Sequence, residues 1–189
     1  KFATPRRTEI SEELLEQDEE DLIQREEMVI TVSHAGYIKR VPLSTYRAQR
    51  RGGKGRAGMA TREEDFVSQV FVVNTHTPLL FFSSRGKVYR LKTYKLPLGT
   101  PQSRGKPMVS LLPLAEEEVI QTLLPVPALL GQSEDAVAIF STAKGLIRPI
   151  ALGKFDRILS TGIIAIKLNS GDRLVSVQLA TKNSDVLLA

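Results

Sequence analysis

The 189-residue chain has no cysteine, no tryptophan, only two histidines and no acidic residue anywhere from Met28 to Arg62. Without cysteine there is neither a disulfide framework nor a thiolate metal site, which suits a reducing compartment. His34 and His76 have no His-x₃-His spacing and fall in turn-like and loop-like sequence, so they read as exposed turn residues and not as metal ligands. No apolar run approaches the length of a membrane span, and no signal-peptide pattern opens the chain. What is there, 42% hydrophobic and 25% charged residues, is enough for one sizeable core or two small ones. The chain starts at Lys1, not methionine, and stops at Val186-Leu187-Leu188-Ala189 in strand-like sequence, so it reads as a fragment of something longer.

The net charge of +5 is unevenly spread: residues 1–27 carry −6, 28–62 carry +8, 63–113 carry +4 and 114–189 carry −1. Such segregation points to a polyanionic partner. The acidic leader, 1–26, has too few apolar residues to fold alone and reads as a linker or arm, with Ser11 as cap of a short helix at most. The cationic stretch centres on Gln49-Arg50-Arg51-Gly52-Gly53-Lys54-Gly55 and continues through Arg56. Glycine lets the backbone approach a partner closely, and arginine offers a planar fork of donors to phosphate oxygens.

From Met28 onward, short β-rich runs alternate with Gly, Pro and Ser. Met28–Val32 and Tyr37–Val41 predict a hairpin across Ser33-His34-Ala35-Gly36, and Glu63–Val67 opens a further strand pair running through Val70–Val73. The pattern recurs at Leu79–Arg90 around Gly86 and at Ala138–Arg148 around Gly145, and a fourth copy begins at Asp185-Val186. Tyr94 and Phe155 follow where Tyr46 stood. Ser103-Arg104-Gly105-Lys106 and Ser160-Thr161-Gly162 follow where the Gly/Arg loop stood, and Glu116-Glu117-Glu118 matches Glu63-Glu64-Asp65. The repeats lie at roughly 27–76, 77–134 and 135–184, and their turn glycines are 50 and 59 residues apart (36 to 86, 86 to 145). A period in that range with about four strands per unit predicts an all-β, propeller-like array of four-stranded blades, about three of them here. Leu79–Phe82 and Ala138–Phe140 are apolar on both faces, as strands buried between blades must be. The cations that follow the turn glycines, Lys39, Arg40, Lys87, Arg90 and Arg148, then belong to a rim, a curved positive edge suited to a bent duplex held by its phosphates.

Gln49–Gly55, with Tyr37-Ile38-Lys39-Arg40 before it and Leu43-Ser44-Thr45-Tyr46-Arg47-Ala48 leading in, resembles the seven-residue box of the gyrase A C-terminal domain, of the type IIA topoisomerases, at every position. Pro5-Arg6-Arg7-Thr8-Glu9-Ile10 resembles the end of the helical tower that precedes that domain, and the later loops resemble its degenerate repeats. The resemblance implies a β-pinwheel, with strands exchanged between neighbouring blades in a full disc of six, of which about three are present here. It implies double-stranded DNA wrapped with positive handedness on a basic rim, so that ATP-driven strand passage by DNA gyrase introduces negative supercoils. The protein partners implied are gyrase B and the remainder of gyrase A, in an A₂B₂ assembly. ATP and Mg²⁺ are used elsewhere in that parent enzyme, and this part needs no cofactor. The location implied is the bacterial cytoplasm at the nucleoid, with an organellar gyrase as the other source. The DNA-binding residues implied are Gln49, Arg50, Arg51, Gly52, Gly53, Lys54 and Gly55, joined by Arg56, Lys39, Arg40, Arg47, Lys87, Arg90, Arg104, Lys106 and Arg148 from the rim reading. None of Tyr37, Tyr46, Tyr89 and Tyr94 stands in the Arg-Ala-Tyr context of the family's strand-breaking tyrosine, so no DNA cleavage is expected of this part.

Other readings fare less well. Gly53-x-Gly55-x-x-Gly58 matches a dinucleotide fingerprint but follows arginines instead of an apolar strand, and Gly55 stands where a Walker loop needs Ser or Thr. The acid clusters recur at matching places and so read as residues leading into strands, not as catalytic pairs. Tyr46, Tyr94 and Phe155 read as packing between blades, since their spacing gives no stacking platform. The alternatives kept open are the corresponding domain of topoisomerase IV, which usually carries degraded boxes, and a propeller scaffold that binds proteins.

Overall fold

Runs of β-branched and aromatic residues, each closed by a glycine turn, fold into three successive antiparallel sheets. The computed structural model describes residues 20–46, 59, 65–126 and 135–186, so the Gln49–Gly55 box, Arg47 and Arg56 lie outside the described residues. The first sheet has the order β3 (Val67–Asn74), β1 (Glu27–Ser33), β2 (Tyr37–Pro42), β6 (Lys106–Pro107). The second runs β7 (Ile120–Pro125), β4 (Pro78–Ser83), β5 (Lys87–Lys92), β10 (Ile163–Ile164), and the third β11 (Leu174–Thr181), β8 (Ala136–Thr142), β9 (Ile147–Ala151). Among the described residues no helix is long and apolar enough to cross a membrane.

The fourth strand of a blade does not come from where the sequence placed it. Residues 67–74 form one strand, not a pair, and the set of four is completed by two residues lent from the following repeat. Ile38 pairs with Lys106 and Tyr37 with Pro107; Val88 pairs with Ile163 and Lys87 with Ile164. The glycine before each lent strand is required by its surroundings. Gly105 (φ +81°) and Gly162 (φ +76°) adopt left-handed backbone, and an added Cβ would stand 2.4 Å from the Ile38 carbonyl oxygen and 2.7 Å from the Tyr89 ring. The blades are thus strand-exchanged, as in a pinwheel.

Alternation along β4 decides how blades stack. Leu79 and Phe81 face the first blade, packing with Met28, Ile30 and Val32 of β1, while Leu80 and Phe82 face the third, packing with Ala138 and Phe140 of β8. Phe82 meets Phe140 and Phe155 edge-on, with ring centroids 5.3 and 5.7 Å apart. Both faces of β4 are buried, as expected from its sequence. At about 1.5–3 kcal/mol for each large side chain buried, these two interfaces supply the main driving force for stacking.

Each hairpin is tied to the outer strand of its own blade by one recurring device. A hydroxyl residue ends the first strand (Ser33, Ser83, Thr142) and accepts a hydrogen bond from the backbone N–H four residues on, at 3.2, 3.3 and 3.2 Å. A carboxylate two residues before the outer strand begins (Asp65, Glu118, Asp172) comes under the turn. Asp65 accepts from the Ala35 N–H at 2.8 Å, Asp172 from the Lys144 N–H at 3.0 Å, and Glu118 from the Tyr89 hydroxyl at 3.1 Å and the Ala115 N–H at 2.8 Å. A bulge in the same place in every blade turns the chain so that this carboxylate can reach. The last acid of each cluster, Asp65 and Glu118, therefore serves a hairpin, as Asp172 does in the third blade.

Burial alone would raise all three carboxyls. The N–H of Ala35 with the Ser33 hydroxyl, the Ser83 hydroxyl with the N–H of Ala115, and the Thr142 hydroxyl with the N–H of Lys144 outweigh it and hold them below their ordinary values. A carboxyl whose folded pKa is depressed contributes stability that is complete above its unfolded pKa, about 4, and lost as pH falls through the folded value. The thermal midpoint should therefore hold down to about pH 4 and drop steeply below it. Asp65→Asn with Glu118→Gln and Asp172→Asn should lower the midpoint at pH 6 and flatten that acid limb. An acid limb unchanged in the triple variant would show that the latches do not carry it.

Candidate nucleic-acid interface

The lent strands β6 and β10 are the edge strands of their sheets, so the loops at residues 96–107 and 156–164 emerge at corresponding edges of successive blades. Three of the rim cations named from sequence reach across to these loops. Lys39 is fully buried, and its ammonium donates to the carbonyls of Thr100 (2.8 Å), Pro101 (2.7 Å) and Ser103 (2.8 Å). All three of its N–H bonds are used inside the protein, and burial pushes its pKa below the usual ammonium range. Arg40 donates from Nε to the Leu96 carbonyl at 2.8 Å, and Arg90, its counterpart one repeat on, donates to the Asp156 carbonyl. The structure thus gives Lys39 a different task from the DNA contact expected of it: it fastens a loop of the second repeat onto the first blade.

The remaining named cations divide. Arg104 lies over the Tyr37 ring, 3.7 Å from its centroid, and its charge helps depress Asp65, so it packs across the base of the first hairpin. Lys87 is half-buried opposite Ile164. Lys106 is exposed on the lent strand β6. Arg148 is exposed on β9, the strand corresponding to β2 and β5, and no described strand pairs with its free edge.

Sequence reading missed Lys95 and Lys154. Both are exposed in the 3₁₀ turns that follow the returning strands, Thr93–Lys95 and Leu152–Phe155, at the root of the edge loops. Each lies nine positions after its turn glycine (86 to 95, 145 to 154), and counting from the glycines would have found them. The same count corrects a packing assignment. Leu96, not Tyr94, stands where Tyr46 and Phe155 stand, ten positions after the glycine, and Leu96 and Phe155 are both buried.

The family described as "DNA gyrase C-terminal domain, beta-propeller" matches residues 27–74, 77–127 and 139–181, one segment for each blade. The chain belongs to that family. Among curated gyrase A relatives, the protein of Rickettsia bellii is 54% identical over 188 residues and that of Escherichia coli 45% identical over 188 residues. These matches cover 100% and 99% of this chain but 21% of each relative, so the chain spans about a fifth of their length. A solved gyrase A C-terminal domain superposes with a TM-score of 0.60 at 28% identity, over 83% of this chain and 49% of the other. The C-terminal domain of a DNA topoisomerase IV superposes with a TM-score of 0.71 at 22% identity, over 85% of this chain and 47% of that one, a likeness of fold. The chain thus corresponds to the C-terminal region of gyrase A, part of a type II topoisomerase, and the gyrase family's propeller is the array of exchanged blades seen here.

Proposed function

We propose that this domain holds double-stranded DNA by its phosphates along the blade edges and curves it with positive handedness. The observation that carries the reading is the recurrence of exposed cations at one edge position of successive blades, Lys95 and Lys154, with Lys106 exposed on the strand lent to the edge of the first blade. Lysines on a curved array meet phosphates at intervals without reading bases, which is the chemistry of wrapping. In the sequence of the first repeat the box residues Gln49–Gly55 fall where the later repeats have their edge loops, and their cations count among the DNA contacts. In the whole enzyme, with gyrase B present and with ATP and Mg²⁺ bound elsewhere, the curved segment is presented for strand passage and negative supercoils result. This part makes no strand break.

Duplex affinity should not depend on sequence and should fall by roughly 0.9 log units per decade of salt for each phosphate contacted. Fluorescence anisotropy of two unrelated duplexes across a salt series measures both. Binding that ignores salt, or that prefers one duplex strongly, would overturn the reading.

A further inference from the structure

The acidic arm does not end loosely. Its last residues are strapped to the turn between β3 and β4: the Thr75 N–H donates to the Glu26 carbonyl (2.9 Å), the Thr75 hydroxyl to the Gln24 carbonyl (2.8 Å), and His76 Nε2 lies 3.1 Å from the Glu20 carbonyl oxygen. The strap brings the Glu20 carboxylate 2.9 Å from the Lys92 ammonium. Lys92 closes β5 and immediately precedes the turn that carries Lys95, so it belongs to the blade edge described above. Beside the pair opens a groove of about 580 Å³ between the arm and the third blade, with Arg25, Lys92 and Arg90 contributing cations against Glu20 and Asp156.

We propose that Lys92 and Arg25 form a phosphate subsite of the edge, and that the Glu20 carboxylate of the arm occupies it in competition with the DNA backbone. The inference rests on the DNA reading above. A carboxylate and a phosphate diester each present one negative charge on two acceptor oxygens, and an ammonium takes either. The side chains of Lys92 and Glu20 are 29% and 30% exposed, so the pair is within reach of a ligand and weak enough for one to displace. Tethering compensates for the weakness: the strap holds Glu20 at the site at high effective concentration. Lys92, then the charges of His76 and Arg25, keep the Glu20 carboxyl ionised against the opposing effect of burial. Six further acids, Glu9, Glu12, Glu13, Glu16, Asp18 and Glu19, precede it in the sequence, so the charge leading up to Glu20 is predominantly negative.

The test is duplex affinity of the chain at low salt, by anisotropy, in four variants. Glu20→Gln should raise affinity about two- to fivefold, the range of a single exposed ion pair. Lys92→Met should lower it and should abolish the gain when combined with Glu20→Gln. Asp21→Asn removes the same charge one residue along, at an exposed position, and should give a smaller gain. A gain equal in Asp21→Asn, a gain that persists in the Lys92→Met background, or no gain at all would overturn the subsite while leaving the DNA reading intact. Absence of salt-dependent binding by the parent chain would remove both.

Discussion

Lys39→Met should lower the stability of the chain by about 3 kcal/mol, because three hydrogen bonds to a charged group, each contributing roughly 1.5–3 kcal/mol, are lost together while relief from burying the ammonium offsets part of that loss. Methionine keeps the length of the side chain but offers no N–H to Thr100, Pro101 or Ser103. For a chain of this size the thermal midpoint should fall by roughly 10 °C. The loop that carries Arg104 and Gly105 into the first blade should loosen with it, so hydrogen exchange at residues 99–107 should speed up more than at the β4 core. A DNA-contacting lysine would behave in the opposite way: its loss would weaken binding most at low salt, make the salt slope shallower and leave the midpoint unchanged. Calorimetry and anisotropy on the one variant separate the two roles.

The box carries the second large effect. Replacing Arg50, Arg51 and Lys54 with alanine should leave the stability within about 1 kcal/mol of the parent, since cations in Gly/Arg-rich sequence of this kind contribute little to stability. Duplex affinity should fall but persist, held by Lys106 at the edge of the first blade and by Lys95 and Lys154 on the later blades. Curvature should vanish. A duplex held only by these remaining cations meets too few of them to offset the bending cost, of order 1–6 kcal/mol for a 20–30 base-pair site. Affinity and curvature should therefore come apart in this variant, and equal loss of both would place the box among ordinary contacts.

Much of this architecture is written locally in the chain. Ser33-His34-Ala35-Gly36 and its two later copies specify hairpins through a positive-φ glycine, and the all-apolar run Leu79–Phe82 specifies a strand with two buried faces. What escaped the sequence depends on residues far apart. Lys39 looks like any exposed strand cation until carbonyls 61 to 64 residues later close over it. The lent strands are two residues long, too short to show a period of two, and they pair with a repeat other than their own. Tyr94 matches Tyr46 in residue type, whereas the packing position is fixed by distance from the turn glycine and is filled by Leu96. The candidate interface was legible as a cationic edge. Which of its cations fasten blades (Lys39, Arg40, Arg90) and which face outward (Lys95, Lys106, Lys154) required the folded chain.

The linking number of a nicked DNA circle, sealed by ligase with the chain bound, bears most directly on the claim that these cations line one continuous edge. The parent chain should shift it in the positive sense, in proportion to protein bound, and the Arg50/Arg51/Lys54 alanine variant at equal occupancy should return the protein-free value. A parent chain that coats the circle without changing its linking number, or a variant that changes it as the parent does, would contradict the account.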